Sequence, residues 1–256
     1  MAKQKRTRAG ATKQVAVNKV EKKDDSPHIH QRGKIKDSVH IRELEWTDKQ
    51  KEFISIAEDK DMRVMFISGP AGTSKTLMSV YVALQLLNAR KVSDICYLRS
   101  AVESSDSSIG YLPGTAEEKL ACYNVPFWDK LDELLPAYDV KALAEDERTQ
   151  SLPINYIRGL NWNAKAIILD EAQNSSQKEL VTTLTRLGHF TRCFILADPI
   201  QTDLNGKAGG FQKLYNIFDN DAEAEAKGIY TFKFTTEDIM RSELVKFIVE
   251  RLEERL

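Results

Sequence analysis

The stretch that most constrains the fold of this chain reads Gly69-Pro70-Ala71-Gly72-Thr73-Ser74-Lys75-Thr76. An apolar run at residues 64–67 precedes it and predicts a buried strand, and a helical pattern follows at residues 75–87. A glycine-rich turn between a strand and a helix, ending in Lys-Thr, is the arrangement of the Walker A loop, which binds phosphate. The backbone N–H groups of such a loop and the N-terminus of its helix together form a site for anions.

The side chains of this loop predict a nucleoside triphosphate, most simply ATP, bound with Mg²⁺. Lys75 is expected to reach the β- and γ-phosphates, and the Thr76 hydroxyl to bind Mg²⁺. Ser74 departs from the motif, which has glycine there; serine is small enough for the loop to close around phosphate, but it can shift the affinity or the rate. We expect nucleotide contacts along the loop and at the residue after it: Gly69, Pro70, Ala71, Gly72, Thr73, Ser74, Lys75, Thr76 and Leu77.

Two acidic residues follow the apolar run at residues 166–169, which predicts another buried strand. Parallel sheets bind ligands at the carboxyl ends of their strands, so Asp170 and Glu171 are expected beside the phosphate loop. Asp170 is predicted to hold Mg²⁺ through water, and Glu171 to orient or deprotonate the attacking water. Acids after a strand are by themselves more often solvated loop residues, but together with a Walker A loop they indicate ATP hydrolysis.

Further candidates are single residues for which a structural role is an equally good interpretation. Gln201 follows a predicted strand; it is placed to sense the γ-phosphate or position the water, or it belongs to a plain turn after Pro199. Gln50 is placed to read the adenine edge, or to close a capping box with Thr47 at the start of a helix. Arginine often stabilises the charge that develops in phosphoryl transfer. The candidates are Arg99, Arg158, Arg186 and Arg241.

Apolar strands alternate with helical patterns along most of the chain. Further strands are predicted at residues 95–98, 193–196 and 229–234, and further helices at 48–58, 177–187, 211–218 and 243–256. Continuous apolar strands separated by helices predict an α/β fold with a mostly parallel sheet and helices on both faces. Residues 100–160 interrupt the pattern, and we expect them to elaborate the same domain, which spans residues 41–256.

The N-terminal arm, taken as residues 1–40, differs in charge from the rest of the chain. Residues 1–38 hold eleven Lys and Arg against four acids, a net charge of +7, so the remainder carries −8 because the whole chain carries −1. The arm has little apolar content and is predicted to be flexible. It is suited to nucleic acid, whose phosphates attract basic segments, or it is a solvated tail that aids solubility.

The composition disfavours several other classes of protein. No apolar run approaches the length of a membrane span, and no apolar stretch follows the basic N-terminus as it does in a secretory signal. Three cysteines without CxxC spacing predict reduced core thiols, and four histidines form no metal pattern. We therefore expect a cytoplasmic protein with no membrane partner.

Together the motifs resemble the PhoH-like family, a branch of ATPases similar to superfamily 1 helicases. The matching stretches occur in the family's order and span residues 45–250: GPAGTSKT (69–76), the IGYLPG turn with the acidic residues after it (109–118), YIRG (156–159), ILDEAQN (168–174), TRLG (185–188), ADPIQTDL (197–204) and DIMRSELV (238–245). The resemblance implies a RecA-like P-loop NTPase core. It also implies Gln201 as the γ-phosphate sensor and Arg241 as an arginine finger. Ser74 and Ala197 depart from the family, which usually has glycine at both positions.

Family members are linked to phosphate starvation, are proposed to act on RNA and look hexameric. Superfamily 1 helicases place two RecA-like domains around one nucleotide, whereas this chain has room for one, so we expect a ring in which a neighbouring subunit supplies Arg241. The first interpretation is an ATPase coupled to single-stranded nucleic acid, RNA rather than DNA, acting as a ring-forming helicase. Exposed aromatic residues would stack on bases if they are not in the core. The candidates are Tyr111, Tyr123 and Trp128.

Two other functions remain open at this point. A nucleotide-gated assembly or switch protein would need only weak hydrolysis, and Ser74 would slow its turnover. A small-molecule kinase also needs a phosphate loop, but Glu171 favours water as the acceptor of the phosphoryl group.

Overall fold

This computed structural model describes residues 38–100, 116–157, 159–201 and 209–253, without the side chains of 116–124 and 253. A sheet of six strands lies at the centre of these residues. The strands are β1 Val64–Ser68, β2 Asp94–Arg99, β3 Thr149–Pro153, β4 Lys165–Asp170, β5 Arg192–Ala197 and β6 Ile229–Lys233. Their order across the sheet is β3-β2-β4-β5-β1-β6, and every pairing between them is parallel. The predicted parallel sheet is therefore confirmed.

Helices cover both faces of this sheet. They are α1 Asp48–Glu58, α2 Lys75–Asn88, α3 Ala116–Leu134, α4 Ala137–Glu145, α5 Gln177–Leu184, α6 Gly210–Phe218, α7 Ala222–Ala226 and α8 Glu243–Glu253. Side chains alternate between the faces along a strand, so Met65 and Ile67 of β1 join one hydrophobic cluster with α1 to α4, whereas Val64 and Phe66 join a second cluster with α5 and α6. The predicted RecA-like α/β architecture is confirmed.

Several elements differ from the sequence-based expectation, and helices α4 and α7 are not among those predicted. The sequence does not predict β3, because its residues TQSLP contain no apolar run; the strand lies at the edge of the sheet beside β2, and Pro153 ends it. Helix α5 ends at Leu184 and not at residue 187. The residues after it instead pair with the segment before β4, since Leu187 forms a parallel bridge with Trp162.

Several expectations concern parts of the chain outside the described residues: the arm up to residue 37, the turn at 109–114 with Tyr111, Arg158, residues 202–204, and the side chains of Cys122 and Tyr123. Trp128 packs against the first cluster, with its ring 5.9 Å from that of Phe127, so it contributes to the core. Cys96 and Cys193 are buried free thiols, as expected, and burial raises the pKa of each to about 12.

Candidate active site

A cavity of about 290 Å³ lies at the carboxyl ends of three neighbouring strands, β4, β5 and β1. The phosphate loop, residues 69–76, follows β1 directly, while β4 ends at Asp170 and β5 at Ala197. Ten residues that the sequence predicts for the site line this cavity: Ala71, Gly72, Ser74, Lys75, Thr76, Leu77, Asp170, Glu171, Gln201 and Arg241. The parallel sheet thus brings together side chains that are far apart in the sequence.

Contacts of Gly69 and Thr73, together with the backbone conformation of Gly72, hold the phosphate loop in place. A Cβ at Gly69 would lie 2.7 Å from the Cβ of Phe234, so a larger residue would collide there. Thr73 is fully buried, and its hydroxyl donates a hydrogen bond to the carbonyl of Pro70 at 3.0 Å. Gly72 has a φ of +91°, which glycine adopts readily and other residues do not. These contacts fix the path of the backbone between β1 and α2.

Ser74 occupies the position immediately before α2 in the left-handed conformation, with φ 63° and ψ 21°. Its side chain makes no capping hydrogen bond to the helix. The N–H groups in the first turn of α2 therefore have no cap from Ser74, and such groups are donors for a bound anion.

Replacing Ser74 with glycine should stabilise the protein, because the left-handed conformation is costly for a residue with a Cβ. We expect Ser74→Gly to raise the free energy of unfolding by about 0.5–1 kcal/mol, the net of relieved strain and the larger chain entropy of unfolded glycine. Equilibrium urea denaturation measures this difference. Ser74→Ala keeps the Cβ and should bring no gain; an equal gain for both variants would contradict strain as the cause.

Lys75 is the first residue of α2, and its ammonium group bonds to the loop itself. Nζ donates hydrogen bonds to the carbonyl of Gly69 at 2.7 Å and to that of Pro70 at 2.8 Å. Burial lowers the pKa of Lys75 from its usual value, and the neighbouring carboxylates of Asp198, Asp170 and Glu171 act in the opposite direction. A partly buried cation held at the loop carbonyls is suited to binding phosphate oxygens.

Asp170 is oriented through both of its carboxylate oxygens. Oδ2 accepts hydrogen bonds from the Thr76 hydroxyl at 3.0 Å and the Tyr97 hydroxyl at 2.7 Å, and Oδ1 accepts one from the N–H of Glu171 at 3.0 Å. Burial, followed by the charge of Asp170, raises the pKa of Tyr97, so its phenol stays protonated and donates. The donor set fits Mg²⁺, which takes one or two protein oxygens and completes its shell with water and phosphate. Thr76 and Asp170 would hold the ion.

Glu171 lies next to Asp170 in a disfavoured backbone conformation. Its φ of 54° is in the left-handed region, which a residue with a Cβ keeps only when its surroundings hold it there. Oε2 accepts a hydrogen bond from Nε2 of Gln173 at 2.6 Å, and Oε1 lies 3.9 Å from Nη2 of Arg99. The carboxylate is thus oriented at the wall of the cavity, and Arg99 lies beside it.

Arg241 lies at the cavity of its own chain. The N–H of Met240 donates to the carbonyl of Gly72 at 3.0 Å, and a Cβ at Gly72 would meet Cγ and Cδ of Arg241 at 3.3 Å. The segment before α8 thus places Arg241 against the phosphate loop of its own chain, and the supply of this arginine by a neighbouring subunit stays a prediction. Gln201 also lines the cavity, in the turn after β5 where its N–H donates to the carbonyl of Asp198 at 3.1 Å.

Two other candidates make structural contacts away from the cavity wall. Gln50 is 3% exposed and closes the capping box of α1, accepting from the N–H of Thr47 at 3.0 Å. The guanidinium of Arg186 donates to the carbonyls of Ile157 and Thr182, both at 2.9 Å. Neither residue is among those that line the cavity, so the capping interpretation of Gln50 has direct support and its contact with adenine stays a prediction.

Sequence reasoning missed several residues of the site. Tyr97 and Gln173 contact the two acidic residues, and Asp198 contributes a buried carboxylate close to Lys75. The sequence gives a weak indication for Gln173, because this residue follows Glu171 by two positions, in the turn after β4. Helix α3 adds Lys130 and Glu133 to the cavity wall, from a part of the chain that carries no motif.

Comparison with known proteins shows that the chain is similar to one protein family over most of its length. The family model described as PhoH-like protein matches residues 44–253 of the chain. A PhoH-like protein of Synechocystis is 31% identical over 208 residues, which cover 81% of this chain and 61% of the relative. A PhoH-like protein of Bacillus subtilis is 32% identical over 206 residues, covering 78% and 61%, and Protein PhoH of Escherichia coli is 32% identical over 200 residues, covering 77% and 54%. The chain thus spans less than two thirds of the length of these curated relatives.

The helices in the described ranges were also compared with the requirements of a membrane span. None of them combines the length and the apolar character that crossing a bilayer needs.

Proposed function

The chain belongs to the PhoH-like family of P-loop ATPases, and from that premise we propose that it binds ATP with Mg²⁺ and transfers the γ-phosphoryl group to water. One observation carries the proposal. Lys75, Thr76, Asp170 and Glu171 surround one cavity at the ends of three neighbouring strands, with the uncapped start of α2 beside them. This is the donor and acceptor set that phosphoryl transfer needs.

Each residue has a distinct task in this proposal. Lys75 exchanges its bonds with the carbonyls of Gly69 and Pro70 for bonds with the β- and γ-phosphates. The N–H groups of the loop bind the remaining phosphate oxygens. Thr76 and Asp170 hold Mg²⁺, which neutralises the charge that develops on the phosphates. Arg241 adds a further positive charge from the same chain.

The position of Glu171 supports water as the acceptor. A carboxylate beside the γ-phosphate position can orient a water molecule and accept its proton. Its two oxygens already lie next to Gln173 and Arg99, so the carboxylate has a defined direction before substrate binds. A small-molecule kinase would instead need room and contacts for an organic acceptor at this point.

The coupling of hydrolysis to single-stranded nucleic acid, RNA rather than DNA, is a second part of the proposal. It is supported by the resemblance and by the charge of +7 on residues 1–38. We further propose a hexameric ring with helicase activity in the cytoplasm and a link to phosphate starvation. The ring is supported by the resemblance and not by Arg241, because this arginine lies beside the phosphate loop of its own chain.

Phosphate release with and without single-stranded RNA or DNA tests this function. We expect basal release of phosphate from ATP without any added acceptor, and several-fold faster release with RNA than with DNA. Raising the salt concentration should reduce the stimulation, because basic residues that contact phosphates release counterions on binding.

Two outcomes would contradict parts of the proposal. No release of phosphate by the wild-type protein under any condition would contradict hydrolysis. ATP-dependent oligomerisation, seen in mass photometry without any stimulation by RNA or DNA, would instead support a nucleotide-gated assembly protein. The left-handed Ser74 at the phosphate loop is the specific feature that favours this second candidate function.

A further inference from the structure

The side chain of Gln173 connects the ends of two strands at the active site. It lies in the 3₁₀ turn Ala172–Asn174 that follows β4, and it is 4% exposed. Nε2 donates to Oε2 of Glu171 at 2.6 Å and to the carbonyl of Gln201 at 3.3 Å, while Oε1 accepts from the N–H of Asp198 at 3.1 Å. One buried amide thus bonds to the residue proposed to orient water and to the turn that carries Gln201.

The direction of these bonds matters. A carboxylate accepts and cannot donate, so Glu171 needs a donor, and the amide nitrogen of Gln173 supplies one at 2.6 Å. The N–H of Asp198 needs an acceptor, and the amide oxygen of Gln173 meets that. Glutamate at position 173 would lose the donor and set two carboxylates against each other. Glutamate therefore cannot replace glutamine at position 173 with the same hydrogen bonds, although the two side chains have nearly the same shape.

The backbone conformation of Glu171 increases its need for contacts that hold the residue in place, such as the bond from Gln173. Its left-handed conformation is disfavoured for a residue with a Cβ, so contacts around it must hold it in place. The N–H of Glu171 is bonded to Oδ1 of Asp170, and its carboxylate is bonded to Gln173. Removing Gln173 would free the carboxylate to turn away from the cavity while leaving Asp170 bonded to Thr76 and Tyr97.

We propose that Gln173 is a positioning residue, which holds the Glu171 carboxylate in the direction needed to orient water and joins it to the turn of Gln201. This inference rests on the proposed function, since it assigns Gln173 a task in hydrolysis. Gln173 lines the same cavity as the phosphate loop, but its hydrogen bonds go to Glu171, Gln201 and Asp198, so we expect the affinity for ATP to change little when it is replaced. A purely structural link between β4 and β5 would predict a loss of stability without a specific loss of turnover.

A double-mutant cycle separates these two roles. Gln173→Ala is expected to lower kcat by about tenfold or more with KM for ATP unchanged, because a misdirected base costs turnover and not binding. In a Glu171→Gln background, the same change should lower single-turnover hydrolysis of radiolabelled ATP less than about twofold, since the residue it positions is already lost. Equal factors in both backgrounds, or a rise in KM alone, would overturn the proposal.

Gln212→Ala provides a matched control. This glutamine is exposed on α6, where its Nε2 bonds to Oδ1 of Asn216 at 2.7 Å, and it does not line the cavity. It should leave kcat and KM unchanged. Thermal denaturation of both alanine variants shows whether Gln173→Ala remains folded at the assay temperature, and Gln173→Glu, which conserves the volume, should lower kcat at least as much.

A measurement that needs no turnover keeps the inference separate from the proposed function. In a ¹H–¹⁵N spectrum, the side-chain amide signal that disappears in Gln173→Ala identifies Gln173. We expect Glu171→Gln to shift that signal and Gln212→Ala to leave it in place. An unmoved signal would overturn the contact on which the inference depends. If the signal moves but the wild-type protein releases no phosphate, the proposed function fails and the contact stands.

Discussion

Lys75→Ala is expected to reduce kcat/KM for ATP hydrolysis by at least about 100-fold, the scale on which loss of one preorganised donor acts in a transition state. The ammonium group is a partly buried cation of the loop, held at 2.7 Å and 2.8 Å from two loop carbonyls. Alanine removes the charge and leaves no donor at that position. Because Lys75 bonds to the phosphates in the ground state and more strongly to the charge that develops in the transition state, we expect KM to rise and kcat to fall.

Steady-state phosphate release over a range of ATP concentrations measures this effect. Lys213→Ala is the matched control, because Lys213 is an exposed lysine on α6 that does not line the cavity. It should leave both constants unchanged. Activity of Lys75→Ala within a few-fold of the wild type would mean that triphosphate binds somewhere other than this loop.

Glu171→Gln should abolish most turnover while leaving ATP bound. General base catalysis by a positioned carboxylate contributes about 10²- to 10⁴-fold to a rate, and we expect kcat to fall within that range. Glutamine keeps the size of the side chain, and its amide oxygen can still accept the bond from Gln173. Thr76, Asp170 and Lys75 are untouched, so the affinity for ATP should stay the same.

Single-turnover hydrolysis combined with a nucleotide-binding assay separates the two effects. Glu225→Gln, at an exposed position on α7, makes the same chemical change away from the cavity and should have no effect. A fall in affinity as large as the fall in kcat would contradict the assignment of Glu171 to the water, because it would place this carboxylate among the groups that bind the nucleotide.

The parts of the site that the sequence predicts are those carried by local patterns. Continuous apolar runs predict β1, β4 and β5, and the glycines of residues 69–72 predict the loop between β1 and α2. The carboxyl ends of parallel neighbouring strands meet, which is why the sequence alone predicts Lys75 and Asp170 at one site.

The parts that the sequence does not predict depend on contacts between distant residues. The Tyr97 hydroxyl reaches Asp170 across 73 positions of the chain, and this contact follows from the pairing of β2 with β4. Arg241 lies in cis because the N–H of Met240 bonds to Gly72, and no local pattern encodes that bond. No apolar run in the sequence predicts strand β3. An edge strand buries less of its surface than a central strand, so it does not need a continuous run of apolar residues.

Calorimetric titration of a non-hydrolysable ATP analogue tests the central claim most directly, namely that the loop from Gly69 to Thr76 binds triphosphate with Mg²⁺ held by Asp170. We predict one analogue bound per chain in the presence of Mg²⁺, much weaker binding with EDTA, and no detectable binding to Lys75→Ala. Absence of binding to the wild-type protein, or equal binding by wild type and Lys75→Ala with and without Mg²⁺, would contradict the account.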